Sequence, residues 1–491
     1  MMRASVLVWL VLLAGCTRGP DPAGLAGDVQ GRLDALFGEP VIEVATLRRQ
    51  GSAPYRAADD GSRQVIVYFN SVLRFVGTYD PSDWETLSPV LVAGALGATD
   101  RGIVGLGAGR QEPGDEFRAF GSIVYRKADS GWAVAGDLVP RMAVRSSAGD
   151  AAGDPSANDL IQRLAQIVNQ SPHARGADRE IIADELKRAL RNITLRLERD
   201  REGIAIAGGP VGGEYWRFLD SVTRGLPATA AITVVATEGS VANAFLIESD
   251  RARFGLMQSD VAAAAVTGQG VFSDHGPMAR LRAVASLVPE VVHVVLPADS
   301  TVASLADLAG LRVAAGTPES GSRHTALRLL AHAGVDADEL EEQYQGDPTD
   351  ALDRLAAGEL DAVIEVASPP WTQLQAAARA TPLRLLQIDA ETAERIAAEV
   401  HGLVPLSVPA RTYPGQDAAV PTLAATALLV ARSDVADATV EATLELLYAA
   451  AAERGGVPAA RLSKERARTG ITIPMHDGAS KFFGRTAEAR Q

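Results

Sequence analysis

This sequence predicts a two-lobed α/β fold preceded by a small α+β domain, on three observations. From Gly203 onward, short apolar strands alternate with amphipathic helices through loops of small residues. Two apolar runs, 291–296 and 424–431, bracket a segment that contains its own strand–helix series. A chain that leaves one lobe, builds a second and returns joins its lobes by two crossover strands. The stretch 146–158, rich in Ser, Ala, Gly, Asp and Pro, reads as a linker that separates this half from what precedes it.

The elements follow in order. Residues 16–27, with Pro20, Pro22 and three glycines, read as a flexible tether. Asp28 is placed to cap a helix whose apolar face is Val29, Leu33, Leu36 and Phe37, ended by Gly38 and Pro40. Strands are expected at 41–47 and 64–76, then at 117–125 and 132–135 around the turn Asp129-Ser130-Gly131. A helix opened by Pro89 falls between the two pairs. These elements make the α+β domain, 28–145, and no catalytic constellation lies in it. Residues 146–200 are read as linker and helix, the helix at 178–191 with Ile182, Leu186 and Leu190 on one face. The rest, 201–491, is one domain, with lobe I at about 203–290 and 430–485 and lobe II at about 291–429.

In that domain the strand at 204–207 leads through Gly208-Gly209-Pro210-Val211-Gly212-Gly213 into a helix. The same pattern recurs at 232–236 through Thr237-Glu238-Gly239-Ser240, at 254–257 through Gln258-Ser259-Asp260, at 311–315 through 316–322, and at 361–366 through Ala367-Ser368-Pro369-Pro370. Loops at the carboxyl ends of such strands converge on a crevice. Each precedes a helix N-terminus, whose free N–H groups and positive dipole end favour an anion. Candidate ligand contacts are therefore Gly208, Gly209, Gly212, Tyr215, Thr237, Ser240, Asn243, Gln258, Asp260, Ser320, Gly321 and Ser322. Ser240 reads at least as a helix N-cap, and Arg323 and His324 as exposed residues. His293, inside an apolar run, reads as a core or hinge residue.

Composition bounds the function. Hydrophobic residues make up 47% and charged residues 22%, too apolar for a disordered chain. A net charge of −14 argues against nucleic acid as a partner, since phosphate neutralisation needs a basic face. No stretch approaches the ~20 apolar residues of a membrane-spanning helix, which argues against a channel or permease. The seven histidines show no metal-ligand spacing, and no Walker loop, nucleophile elbow or paired-carboxylate motif is present, so neither metal, cofactor nor enzymatic activity is expected. One cysteine excludes internal disulfides.

That cysteine has its own context. Arg3, an apolar run at 6–13 and the small residues Ala14 and Gly15 form a signal peptide over residues 1–15. Leu13-Ala14-Gly15-Cys16 resembles the bacterial lipobox, which implies a lipidated Cys16 as the mature N-terminus.

A second resemblance covers about 203–483. Its segments are Gly208 onward to Trp216, Thr237-Glu238-Gly239-Ser240-Val241-Ala242-Asn243, Gln258-Ser259-Asp260-Val261 and Val291-Val292-His293-Val294-Val295. Asp307-Leu308-Ala309-Gly310-Leu311-Arg312-Val313, Ser320-Gly321-Ser322, Thr412-Tyr413-Pro414-Gly415-Gln416-Asp417 and Ile473-Pro474-Met475-His476-Asp477-Gly478-Ala479 complete the series. In order and spacing they resemble the TAXI family of TRAP-transporter solute receptors. The resemblance implies the type II periplasmic-binding-protein fold and capture of a small organic anion, a carboxylate or an amino acid such as glutamate. It also implies delivery to a TRAP membrane permease in trans from a lipid-anchored position in the periplasm or at the cell surface. Three features depart from the family pattern: Pro210 and Val211 among the glycines, Tyr215-Trp216 in place of two tyrosines, and Glu319 before Ser320. A ligand-sensing receptor or scaffold in the cell envelope is the alternative, kept open by the additional N-terminal block.

Cys16 is expected to carry the lipid. Mass spectrometry of the mature N-terminus checks this, and an unmodified chain starting elsewhere overturns it.

Overall fold

The computed structural model describes residues 20, 22–37, 40–55, 62–80, 89–106, 109–128, 131–135, 203–224, 226, 232–337, 340, 348–454 and 461–488. Cys16, the signal sequence, and the linker and helix expected at 146–200 lie outside the described residues.

The N-terminal domain is built from α1 (Pro22–Phe37), β1 (Ile42–Tyr55), β2 (Gln64–Phe75), α2 (Pro89–Ala95), β3 (Ile103–Val104), β4 (Glu116–Ala128) and β5 (Gly131–Val134). Helix α1 starts six residues earlier than expected, so 22–27 are helix rather than tether. Leu25, Val29 and Leu33 fall at i, i+4 and i+8 and are all buried, and this shared apolar face carries the helix back past Asp28. Asp28 is thus no cap. Its carboxylate accepts a hydrogen bond from the Tyr125 hydroxyl at 2.6 Å.

Strand β1 runs eight residues beyond the expected Leu47. The polar run Arg48, Arg49, Gln50 concealed it, because backbone pairing on both edges holds it irrespective of side chain. β1 pairs along its whole length with β2 and, through Gly51 and Ser52, with Thr237 and Ala236 of the C-terminal domain. A Cβ at Gly51 would sit 2.4 Å from the Ala236 carbonyl oxygen, so only glycine permits that approach.

The C-terminal domain comprises β6 (Ile204–Ala207), α3 (Glu214–Thr223), β7 (Ile232–Thr237), α4 (Ser240–Glu248), β8 (Phe254–Gln258), α5 (Ser259–Thr267) and β9 (Leu281–Pro297). Lobe II continues with β10 (Val313–Ala314), α6 (Gly321–His332), α7 (Pro348–Ala356), β11 (Ala362–Ala367), α8 (Thr372–Ala380), β12 (Leu383–Leu385), α9 (Ala390–Glu399) and β13 (Val404–Val408). The chain returns through β14 (Val420–Arg432) to α10 (Asp437–Arg454) and α11 (Asp477–Glu488). The described strands form one sheet in the order β10-β11-β9-β14-β8-β6-β7-β1-β2-β4-β3, with β12 on β9, β13 on β14 and β5 on β4.

β6 is parallel to β7 and β8, and β10 to β11. The expectation of parallel sheets holds for these strands and fails at the crossovers, because β9 and β14 run against their neighbours. The two crossover strands pair with each other from Leu281–Arg432 to Val291–Ala424. Beyond that ladder β9 continues into lobe II beside β11 and β12, while β14 pairs with β8 of lobe I. Both faces of each lobe are covered. Phe245, Met257 and Val261 pack on one side of lobe I, and Phe218, Leu444 and Phe482 on the other. In lobe II the pair of cores contains Leu329, Leu330 and Ile396 on one face and Leu352, Leu355 and Leu374 on the other.

The N-terminal domain shares a core with lobe I. Phe120 stacks on Phe245 at 5.1 Å, and Ala53 and Tyr68 join the same cluster. The Thr99 hydroxyl donates to the Ser249 carbonyl, and Arg101 pairs with Asp434. We take 201–491 as a folding unit in its own right, at a cost set by this contact. A fragment of residues 203–491 is expected to unfold cooperatively, to melt below the intact protein and to bind more of a hydrophobic dye at the bared Phe245 face. Parallel thermal melts check it, and a fragment without a cooperative transition overturns the division.

Candidate functional site

The loops that leave β6, β7, β10 and β11 surround a cavity of about 290 Å³ between the lobes. Seven of the expected contacts line it: Gly212, Tyr215, Ser240, Gln258, Ser320, Gly321 and Ser322. The other five stand behind the wall. Gly208 packs under Leu219 and Val234, and Gly209 donates its N–H to Thr237 Oγ1 at 2.9 Å. The Thr237 hydroxyl in turn donates to Asn243 Oδ1 at 2.6 Å. Asn243, 0% exposed, donates from Nδ2 to the carbonyls of Leu256 and Ala207. Asp260 is likewise buried and accepts from the Thr325 hydroxyl of lobe II at 2.6 Å. These side chains fix the ends of β6, β7 and β8 against one another rather than facing the cavity.

Three helix N-termini meet here, in different states. Gly213 caps α3 and Gly239 caps α4, neither with a side-chain bond, so Ser240 is the first residue of α4 and not its cap. The Ser240 hydroxyl accepts from the Gln258 N–H. On α4 the N–H groups of Val241 and Ala242 donate to the Glu319 carbonyl of lobe II at 3.2 and 3.3 Å. That helix end therefore latches the lobes together. On α6, Ser320 is the N-cap and accepts from the Arg323 N–H at 3.1 Å. Ser322 donates to Glu365 Oε1 at 2.6 Å and accepts from the Val366 N–H. The lobes touch closely: a Cβ at Gly321 would lie 2.3 Å from Gln258 Oε1 and 2.6 Å from Ser240 Oγ.

The charge of the lining is one-sided. Glu214, Glu238, Glu290 and Glu365 line the cavity, and among the described residues no Lys, Arg or His does. Glu214 accepts from Arg461 and from the Ser368 N–H, both at 3.2 Å. Glu290 is 3% exposed and takes the Tyr215 hydroxyl on Oε2 at 2.5 Å. Burial pushes the Glu290 carboxyl up to about 8, against the downward pull of that hydrogen bond and of Arg461. Burial also lifts the Tyr215 hydroxyl well above the ordinary tyrosine range. Outside the cavity, Glu319 is pushed up to about 7 by burial, opposed by Arg48 at 3.7 Å from the N-terminal domain.

None of the four glutamates figured among the expected contacts. A signal for two of them is present in the sequence: Glu290 and Glu365 are lone acids inside apolar strands, where a charge is rarely buried without a role. His324, read as exposed, is buried near Phe272, and burial lowers its affinity for a proton.

His293, read from the sequence as a core or hinge residue, is fully buried. It lies on β9 with Nδ1 at 2.8 Å from the Val291 carbonyl and Nε2 at 2.7 Å from the Tyr413 hydroxyl. A carbonyl only accepts, so Nδ1 carries the proton and Nε2 accepts from Tyr413. Tyr413 then accepts from the Trp371 N–H, which seats Trp371 in the cavity wall. Burial pushes the His293 imidazole down to about 4. The unfolded chain takes up this proton near the ordinary value of about 6.5 and the folded chain near 4, so stability falls as pH falls through that window. The contribution of His293 to the loss is expected to reach about 2 kcal/mol by pH 4.5. Urea unfolding of the wild type and His293→Gln between pH 7 and 4.5 checks it: the variant should lose less stability on acidification, and equal losses count against a neutral His293.

Comparison with solved structures gives matches at low sequence identity and low structural overlap. The alkanesulfonate-binding protein SsuA from Xanthomonas axonopodis pv. citri, bound to MOPS, is 16% identical over 58% of this chain and 80% of its own, with a TM-score of 0.32. The periplasmic aliphatic sulphonate binding protein SsuA from Escherichia coli is 16% identical over 59% and 86%, with a TM-score of 0.33. The periplasmic binding protein BugD is 13% identical over 58% and 95%, with a TM-score of 0.36. Residues 206–484, more than half of the sequence, match the NMT1-like family, and the chain belongs to that family.

Proposed function

We propose that this protein is an extracytoplasmic receptor that closes two lobes around a small organic solute carrying a carboxylate, such as a small organic acid or an amino acid. The observation that carries the reading is the cavity of about 290 Å³ between lobes joined by β9 and β14, with the N-termini of α3 and α6 opening onto it. The volume suits a metabolite at the small end of ligand sites. Each helix end contributes roughly 0.3–1 kcal/mol toward a nearby negative charge, up to about 2 when partly buried. Among the described residues no helix is long and apolar enough to cross a membrane. Delivery then falls to a separate TRAP-type permease, with Cys16 as the lipid anchor that holds the receptor beside it.

A second reading is favoured by one observation. Arg48 of the N-terminal domain reaches Glu319, the residue whose carbonyl latches the lobes. A domain that touches the closing contact is placed to report closure to an envelope partner, and a sensor function uses the same capture step.

A thermal-shift screen of organic acids and amino acids tests capture, because a ligand of the folded state raises its melting temperature. Ser240→Ala and Ser322→Ala are each expected to weaken binding of the solute so found by about tenfold, near 1.4 kcal/mol, with the fold kept. Calorimetry on the two variants measures this. Unchanged affinity in both moves the site elsewhere.

A further inference from the structure

We propose that the N-terminal domain is a clamp on the two lobes, fastened to lobe I and gripping lobe II at Glu319 through Arg48 and Gln50 of β1. This goes beyond the capture reading and rests on it only for the closing of the lobes.

The domain's two contacts differ in kind. Toward lobe I the contact is backbone and apolar. Gly51 and Ser52 pair with Thr237 and Ala236, Phe120 stacks on Phe245, and the Thr99 hydroxyl donates to the Ser249 carbonyl. Parting these surfaces bares apolar area and a strand edge, so they stay together while the lobes move. Toward lobe II the contact is polar. Arg48 Nη1 stands 3.7 Å from Glu319 Oε1, and Gln50, itself buried, lies beside the same carboxyl. Glu319 Oε2 and both amide atoms of Gln50 have no hydrogen-bond partner among the described residues. Polar atoms left in that state lose little when water replaces the contact, so this side is the one that releases and remakes.

Glu319 is where such a grip has effect. Its carbonyl accepts the Val241 and Ala242 N–H groups of α4, and the next three residues, Ser320, Gly321 and Ser322, line the cavity. Burial disfavours the charged form of its carboxyl, and so does the nearby Glu238, while Arg48 and Gln50 favour it. Glu238 lines the cavity from lobe I and is in turn drawn toward its charged form by Arg49 and Arg48. The stretch Arg48 to Gln50 thus faces an acid from each jaw. Opening carries Glu319 away from Arg48 into water, and closing buries it beside Arg48. Without Arg48 the closed form holds a buried acid with less to offset it, and the balance moves toward the open form. Arg48 is 58% exposed, so water screens the pair and the shift is about threefold rather than large.

The test follows the lobes directly, with no solute added. Spin labels go on Arg217→Cys in α3 of lobe I and Asp353→Cys in α7 of lobe II, both exposed positions, with Cys16→Ser removing the native thiol. Double electron–electron resonance on the full chain reads the distances between them, and thermal melts check that each variant folds. The proposal expects a short and a long distance, with Arg48→Ala shifting the ratio of populations about threefold toward the long one. Glu319→Gln removes the charge that Arg48 offsets and keeps the backbone latch. In that background Arg48→Ala is expected to move the ratio by less than about 1.5-fold. Should Glu319→Gln not fold, Arg48→Glu serves instead and is expected to shift the ratio further than Arg48→Ala, by about tenfold, through like-charge repulsion. If the lobes open and close but Arg48→Ala leaves the ratio unchanged, closing stands and the clamp is overturned. An undiminished shift with Glu319→Gln present, or an Arg48→Glu shift no greater than that of Arg48→Ala, also overturns it. One unchanged distance in every variant overturns the clamp and the closing of the lobes together, whereas a failed thermal-shift screen overturns capture alone.

Discussion

The C-terminal half of this molecule depends on the antiparallel pairing of β9 with β14. At ~3.3 Å per residue the 17 residues of β9 span roughly 55 Å, long enough to belong to both lobes. The ladder is regular at each end and broken in the middle, with register shifts between Thr426 and Leu428 and between Leu429 and Val430. Pro289 lies opposite Thr426, where it brings no N–H to the ladder. A bulge beside a proline is the weak point at which such a ribbon bends, and it falls where lobe I gives way to lobe II. These two strands join the lobes, and the loops at their facing edges form the jaws around the cavity.

What holds the jaws together is mostly backbone. The Glu319 carbonyl takes two N–H groups of α4, and the Ser259 hydroxyl donates to the Gly402 carbonyl across the same divide. The interior they enclose is acidic, and burial favours the neutral form of Glu290. A low-dielectric site lined by acids holds its field only as long as most charges are partnered or neutral. Arg461 serves Glu214 in this way, and Tyr215 shares its proton with Glu290.

The N-terminal domain settles a different problem. Without it β7 would be an exposed edge, a template for pairing with other chains. β1 covers that edge at Gly51 and Ser52 and carries β2, β3, β4 and β5 with it. The same strand brings Arg48 to Glu319, so one element both closes the sheet and meets the jaw.

Much of this was legible in the sequence. Alternating strand and helix periods located β6 through β11, and the paired apolar runs located the crossovers, because hydrophobic period reports burial directly. Small residues before each helix marked the loops around the cavity, and Gly212, Ser240, Ser320 and Ser322 do line it. Local pattern misled where distant contacts decide. Leu25 drew α1 through the expected tether, and β1 ran on through Arg48, Arg49 and Gln50 because strands on both sides paired it. Thr237, Asn243 and Asp260 have the residue types of ligand contacts and were turned instead to hold backbone and side chains of neighbouring elements. Thus the sequence by itself determined the elements, their layers and the two-lobed order, since those follow from periodicity along the chain. Only the tertiary structure decided which polar groups face the cavity and what charge it carries, since Glu214, Glu290 and Glu365 come from three separate elements and acquire a common environment only when the lobes meet.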